Sequence, residues 1–216
     1  MPTSSDLQIS KIIEIIINLR PLKLLDIGVG FGKYGFLARE YLDLFCDSEQ
    51  EYSTRKHRIV GVEAYAPYIT EIQRLIYDEI YLGNALDFID QSDELFDLVL
   101  LIDVLEHFSY DDGVRLLKKL QPKAKNILIS TPLDIGHQET AFGNVFETHI
   151  YQWKLRDFHL LGPICTIKNY SGNLIILMGS SAQAMRQRYK WLCWKDFLKN
   201  IPGFYTIYSL LKLRMK

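Results

Sequence analysis

The stretch from Leu24 to Gly35, LLDIGVGFGKYG, constrains this chain more than any other: an apolar run closes on an acid, and glycines follow at Gly28, Gly30 and Gly32. A short apolar run stopped by a glycine-rich turn reads as a buried strand, and the segment behind it, 32 to 45, as a helix. Glycines carry no Cβ, so the turn tolerates positive φ and lets a ligand come close to the backbone. The helix that follows offers unpaired N–H groups to a negatively charged part of that ligand. Such a unit suits a parallel α/β sheet, whose ligands lie beyond the carboxyl ends of the strands.

The remaining chain supplies that sheet. Alternating apolar runs and helical stretches predict strands at 23–27, 58–63, 79–82, 96–102 and 125–130, and helices at 32–45, 67–77 and 111–119. Ile9, Ile12, Ile13, Ile16 and Ile17 recur at helical spacing, predicting an amphipathic helix that packs on the sheet or covers the cleft. Ser171-Gly172-Asn173 separates two β-rich runs and predicts a terminal hairpin over 164–170 and 173–178. The polar stretch Asp47–His57 reads as a surface insertion. The expected fold class is α/β, a Rossmann-like three-layer sandwich with a mostly parallel seven-stranded sheet ending in an antiparallel hairpin. An N-terminal helix (1–21), a main domain (22–180) and a basic helical extension (181–216) divide the chain.

Gly30, Gly32 and Gly35 also satisfy the GxGxxG pattern of dinucleotide-binding domains, so a nicotinamide-dependent oxidoreductase competes as a reading. A phosphate-binding P-loop does not, because Tyr34 follows Gly32-Lys33 and no glycine stands five positions before Gly32. Two features favour a different family. Asp26 places an acid where dinucleotide domains carry an apolar residue, and FDLVLLIDVLEHF, from Phe96 to Phe108, ends in a V-L-E-H motif. With the terminal hairpin, these segments resemble the class I S-adenosylmethionine-dependent methyltransferases over about residues 22 to 179.

That resemblance implies S-adenosylmethionine as cofactor and methyl transfer to a small-molecule acceptor, expected at oxygen, and the basic aromatic tail widens the expected acceptors to glycan-like or lipid-linked ones. It assigns Asp26, Gly28, Gly30 and Gly32 to the first cofactor motif, and Glu63, at the end of the second strand, to the ribose hydroxyls. Asn84-Ala85 stands where the family carries an acid and a small residue beside adenine, a departure at the first position. Asp103 ends the fourth strand, beside the methionine portion or the acceptor, or else as a hydrogen-bonded structural acid. A non-catalytic scaffold that retains the cofactor fold is a further alternative.

A sulfonium already carries an activated methyl group, so the protein's task is to align the acceptor, with a base wherever the acceptor must lose a proton. The long segment Thr131–Trp153 holds Glu147, His149 and Trp153, similar to the Glu-x-His pair found before an aromatic in related methyltransferases. His149 is the assigned base, with Glu147 orienting it or touching substrate and His107 as a second candidate. The competing roles are a cap for a helix starting near Gln152 (His149) and a structural support of the cleft loop (His107). No dense ligand spacing marks a metal site, and none is assigned.

Composition narrows the setting. Three widely separated cysteines, Cys46, Cys165 and Cys193, fit reduced thiols. The longest apolar runs are interrupted by Glu14 or Asp103, and the start lacks a basic leader, so a cytoplasmic protein is expected. Residues 181–216 hold eight Lys or Arg against one acid, leaving a net charge of −8 on the rest of a chain whose total is −1. Trp191, Trp194, Leu198 and Ile201 share a face flanked by Arg188, Lys195 and Lys199, which suits an anionic membrane surface, a packing role or an oligomer contact through 186–216. Nucleic acid is disfavoured, since the acidic remainder offers no electropositive surface around the cleft.

Overall fold

The computed structural model describes residues 4–45, 55–168 and 172–199, with only the backbone path given for 167–168 and 192–199. Cys46, most of the polar insertion and everything from 200 onward lie outside the described residues, as do the side chains of Cys193 and Trp194.

Seven strands, β1 (Lys23–Ile27), β2 (Arg58–Glu63), β3 (Glu79–Leu82), β4 (Phe96–Ile102), β5 (Ala124–Pro132), β6 (Ile164–Lys168) and β7 (Asn173–Gly179), form one sheet in the order β3-β2-β1-β4-β5-β7-β6. The first five run parallel, and β7 pairs antiparallel with both β5 and β6. Central strands buried on both faces favour near-continuous apolar stretches, such as LVLLI in β4 and LIILM in β7. Alternation then splits the core in two. Leu25, Ile27, Val99, Leu101, Ile127 and Ile129 pack on one face, while Leu24, Leu98, Leu100 and Leu128 pack on the other.

The second face receives the isoleucine-rich α1 (Ile9–Leu19), whose Ile12, Ile15 and Ile16 are fully buried, and α2 (Lys33–Arg39). The expected helix over 32–45 is thus α2 running into a π-helical turn, Glu40–Phe45. The helix expected over 67–77 is shorter, α3 (Glu71–Ile76): Pro67 sits in a separate 3-10 turn, and Thr70 caps α3 by accepting from Ile72 N. The first face carries two elements missing from the expected list. One is α4 (Ala85–Gln91); the other, beyond α5 (Tyr110–Leu120), is the short α6 (Leu155–His159), named above only as a helix starting near Gln152 and beginning three residues later. The extension begins as α7 (Ala182–Lys199), docked through buried Ala182 and Met185.

Candidate functional site

A cavity of about 740 Å³ opens at the carboxyl ends of β1, β2, β4 and β5. One end is built around the glycine turn. Gly28 has φ +82°, and a Cβ there would stand 2.6 Å from Val104 Cγ2, so only glycine fits without displacing the β4 end. Gly30 N donates to Glu63 Oε2 at 2.9 Å, and Tyr65 N donates to Glu63 Oε1 at 2.8 Å. Glu63 therefore braces the turn while facing the cavity, and burial holds its carboxyl above the ordinary range. Gly32 caps α2 in the left-handed region. Asn84 and Ala85 line the same end, where Asn84 Oδ1 accepts from Leu86 N at 2.8 Å and fixes the start of α4.

Asp26 stands apart from this lining. It lies on the sheet face of Leu24, where it is 3% exposed and accepts a 2.5 Å hydrogen bond from the Tyr77 hydroxyl. Gly35 and Gly61 make room for that ring: a Cβ would come within 2.2 Å of it at Gly35 and 3.1 Å at Gly61. Burial pushes the Asp26 carboxyl up to about 7, against the opposing hydrogen bond from Tyr77. The acid thus anchors the strand under the turn from behind.

Asp103 faces the cavity with φ +54°, a backbone setting uncommon outside glycine though tolerated by Asp. Gln8 Nε2 donates to its Oδ2 at 2.6 Å, and Ser130 Oγ lies 3.1 Å from its Oδ1. Asn173 Nδ2 donates to Gln8 Oε1 at 2.6 Å, joining the segment before α1 to the ends of β4, β5 and β7. Lys33 Nζ donates to the Ser4 carbonyl at 2.6 Å, and Ser4 and Ser5 line the cavity. The N-terminal region accordingly does both things expected of it, packing α1 on the sheet and covering the cleft.

The opposite end is assembled across the chain. The Glu106 carbonyl accepts from Ile150 N at 2.8 Å and Tyr151 N at 3.2 Å, tying the β4 end to the segment after β5. Trp153 secures the same link, its Nε1 donating to the Leu105 carbonyl at 2.8 Å and its ring filling the space left by Gly113. His107 and His149 then face one another with ring centroids 5.2 Å apart. His107 Nδ1 sits 3.0 Å from the Thr148 carbonyl, and His149 Nδ1 bonds the Ile135 carbonyl. Carbonyls only accept, so each Nδ1 carries a proton, and in the neutral ring it is Nε2 that holds the lone pair. Burial also draws the His107 pKa down. His149 does not cap the next helix, since α6 starts only at Leu155. Glu147 lines the cavity too, accepting from the Tyr68 hydroxyl at 3.2 Å.

Sequence reasoning missed Glu106, which is 1% exposed, lines the cavity and has no hydrogen-bond partner on Oε2. Its burial and the neighbouring Asp103 charge push its carboxyl well above the usual range. The signal was present in V-L-E-H, where an acid follows two apolar residues. Glu63, Asp103, Glu106, Asp112 and Glu147 all line the cavity, against Lys33 and Arg115. A cleft with that acid excess favours a ligand bearing positive charge.

No family model and no curated protein matches the chain. Solved structures do. Monomeric WbdD superposes with a TM-score of 0.57 at 18% identity, over 82% of this chain and 42% of that one. An O-methyltransferase family protein from Burkholderia thailandensis gives 0.56 at 12%, over 81% and 57%. Magnesium protoporphyrin IX methyltransferase (ChlM) from Synechocystis PCC 6803, with bound SAH, gives 0.53 at 13%, over 79% and 80%. This is the class I S-adenosylmethionine-dependent methyltransferase fold. The methyltransferase fold here has the antiparallel β7 inserted between β5 and β6, the feature that a standard dinucleotide domain lacks. The chain spans about half the length of the first two proteins. No helix among the described residues is long and apolar enough to cross a membrane.

Proposed function

We propose that the protein transfers a methyl group from S-adenosylmethionine to an oxygen of a small-molecule or glycan-like acceptor. The observation that carries this reading is one cavity joining Gly28 to Phe31 of the glycine turn, Glu63 and Asn84-Ala85 at one end to His107, Glu147 and His149 at the other, while Gly32 faces Gln73 and Tyr77 instead. The turn, with Glu63 and Asn84, would hold the adenosine part, the acid-rich lining suits the sulfonium and ammonium charges, and Asp103 stands between the two ends. In-line transfer then needs the acceptor oxygen beside the histidine pair. An imidazole whose Nε2 lone pair is fixed by a carbonyl on Nδ1 is fit to take the acceptor's proton, and His149 is the assigned base. Exposed Leu133, Phe142 and Ile150 belong to the same segment between β5 and α6 and supply apolar surface for an amphipathic acceptor.

Calorimetric titration with S-adenosylhomocysteine, with NADH in parallel, tests the cofactor. Saturable binding of the first alone is expected; binding of NADH alone would overturn the reading in favour of an oxidoreductase. The basic extension supports a lipid-linked acceptor at the inner membrane face, and absence of full-length protein from sedimented anionic liposomes would remove that part of the proposal.

A further inference from the structure

Two facts about the histidine end have no use in simple acceptor positioning. Glu106 is 1% exposed and its Oε2 is buried without a hydrogen-bond partner, a costly arrangement for a lone carboxylate. Beside it, the Nδ1 atoms of both His107 and His149 are tied to backbone carbonyls, the support that orients metal-ligating histidines. One ligand atom from each of Glu106, His107 and His149 falls within 4.8 Å of the other two.

We propose that Glu106, His107 and His149 form a binding site for one divalent transition-metal ion, held by two imidazole Nε2 atoms and one carboxylate oxygen. Metal–ligand bonds of about 2.0–2.2 Å place adjacent ligand atoms roughly 3–3.5 Å apart, so closure needs side-chain shifts of about an ångström. Two imidazoles with one carboxylate select manganese, iron, cobalt or zinc over magnesium or calcium, which prefer oxygen ligands throughout. Three protein ligands on one side leave coordination positions open toward the cavity. The ion also gives the buried Glu106 charge the partner it lacks.

The use of this site in catalysis rests on the methyl-transfer reading, whereas ion binding does not. An acceptor hydroxyl bound to the ion loses its proton to water more readily. The oxygen's electron pair then forms the O–CH₃ bond, and the S–CH₃ pair stays with sulfur, giving a methyl ether and S-adenosylhomocysteine. With the ion bound, His149 is a ligand and the proton goes to water, which replaces the base role His149 has in the metal-free reading.

The test is calorimetric titration of the full chain, freed of metal by chelator, with manganese(II) chloride or zinc chloride alone. One ion per chain is expected. Binding should weaken at least about tenfold in each of Glu106→Gln, His107→Ala and His149→Ala, and stay unchanged in His137→Ala, which removes an exposed imidazole paired with Glu139. Melting curves should rise with metal for the native chain and not for the three variants. The three separate variants keep the test open if Glu106→Gln fails to fold. Absence of binding to the native chain, or binding as tight as the native chain's by both the His149→Ala and His107→Ala proteins, overturns the site. S-adenosylhomocysteine titrated into the same samples separates the two ideas: metal binding without it sustains the ion site and sinks the methyl-transfer reading.

Discussion

The two ends of the cleft are built in different ways. The cofactor end is mostly local: within Leu24 to Gly35, one strand, one turn and one helix set its shape, and Glu63 and Asn84-Ala85 join from the ends of the next two strands. The histidine end is long-range, existing only because the Glu106 carbonyl and the Trp153 indole fasten the Thr131–Trp153 segment to the β4 end. A local site can be recognised from a motif, whereas a long-range one depends on packing that no spacing in the sequence encodes. It follows that the two ends should fail independently when altered.

His149→Ala is the sharpest way to break that comparison. Methyl transfer to an acceptor identified by screening should fall by about 10²- to 10⁴-fold, while S-adenosylhomocysteine affinity changes less than about twofold; a parallel loss of both in turnover and binding assays would mean that the ends are one unit. Gly28→Ala should do the reverse. Its Cβ meets Val104 and its φ is positive, so cofactor affinity should drop by more than about tenfold by calorimetry. Gly113→Ala probes the fastening: its Cβ would lie 2.2 Å from the Trp153 ring, and overpacking should cost about 1–3 kcal/mol in denaturant unfolding, with acceptor turnover falling more than cofactor affinity.

The smallest effect separates the front of the cofactor turn from its back. Asp26 has a folded pKa of about 7 against 3.8 for the free group, so the native state binds a proton that the unfolded state has released between those values. Its contribution to stability is fully present below about pH 4 and is lost as pH rises to about 7. Asp26→Asn removes that titration and should flatten the fall in melting temperature between pH 5 and pH 7, leaving cofactor affinity within a few-fold. A large affinity loss would mean that Asp26 touches the ligand.

The central strands were legible because burial on both faces favours near-continuous apolar runs, as in LVLLI and LIILM. α4 was not, since ALDFIDQ is seven residues long and interleaves acids with its buried Leu86, Phe88 and Ile89. The placement of Asp26 was open to inference: strand residues alternate, so an acid between Leu25 and Ile27 must share the face of Leu24, away from the cavity that Ile27 lines. Glu106 and His107 were visible as a pair, but their meeting with His149 is a product of the Glu106 carbonyl accepting from Ile150 and Tyr151, a backbone contact without a side-chain signature.

The bond between Gln8 and Asn173 spans 165 positions. During synthesis the isoleucine-rich helix emerges first, yet the polar clasp at its entrance closes only after the last strand is paired. Until then its apolar face has no complete bed, and such waiting surface is what chaperones recognise and what aggregates when they are scarce. The residues that seal the cleft therefore also take part in a late step of folding, and truncation before β7, which takes cleft-lining Asn173 with it, should yield a chain that cannot retain its own beginning.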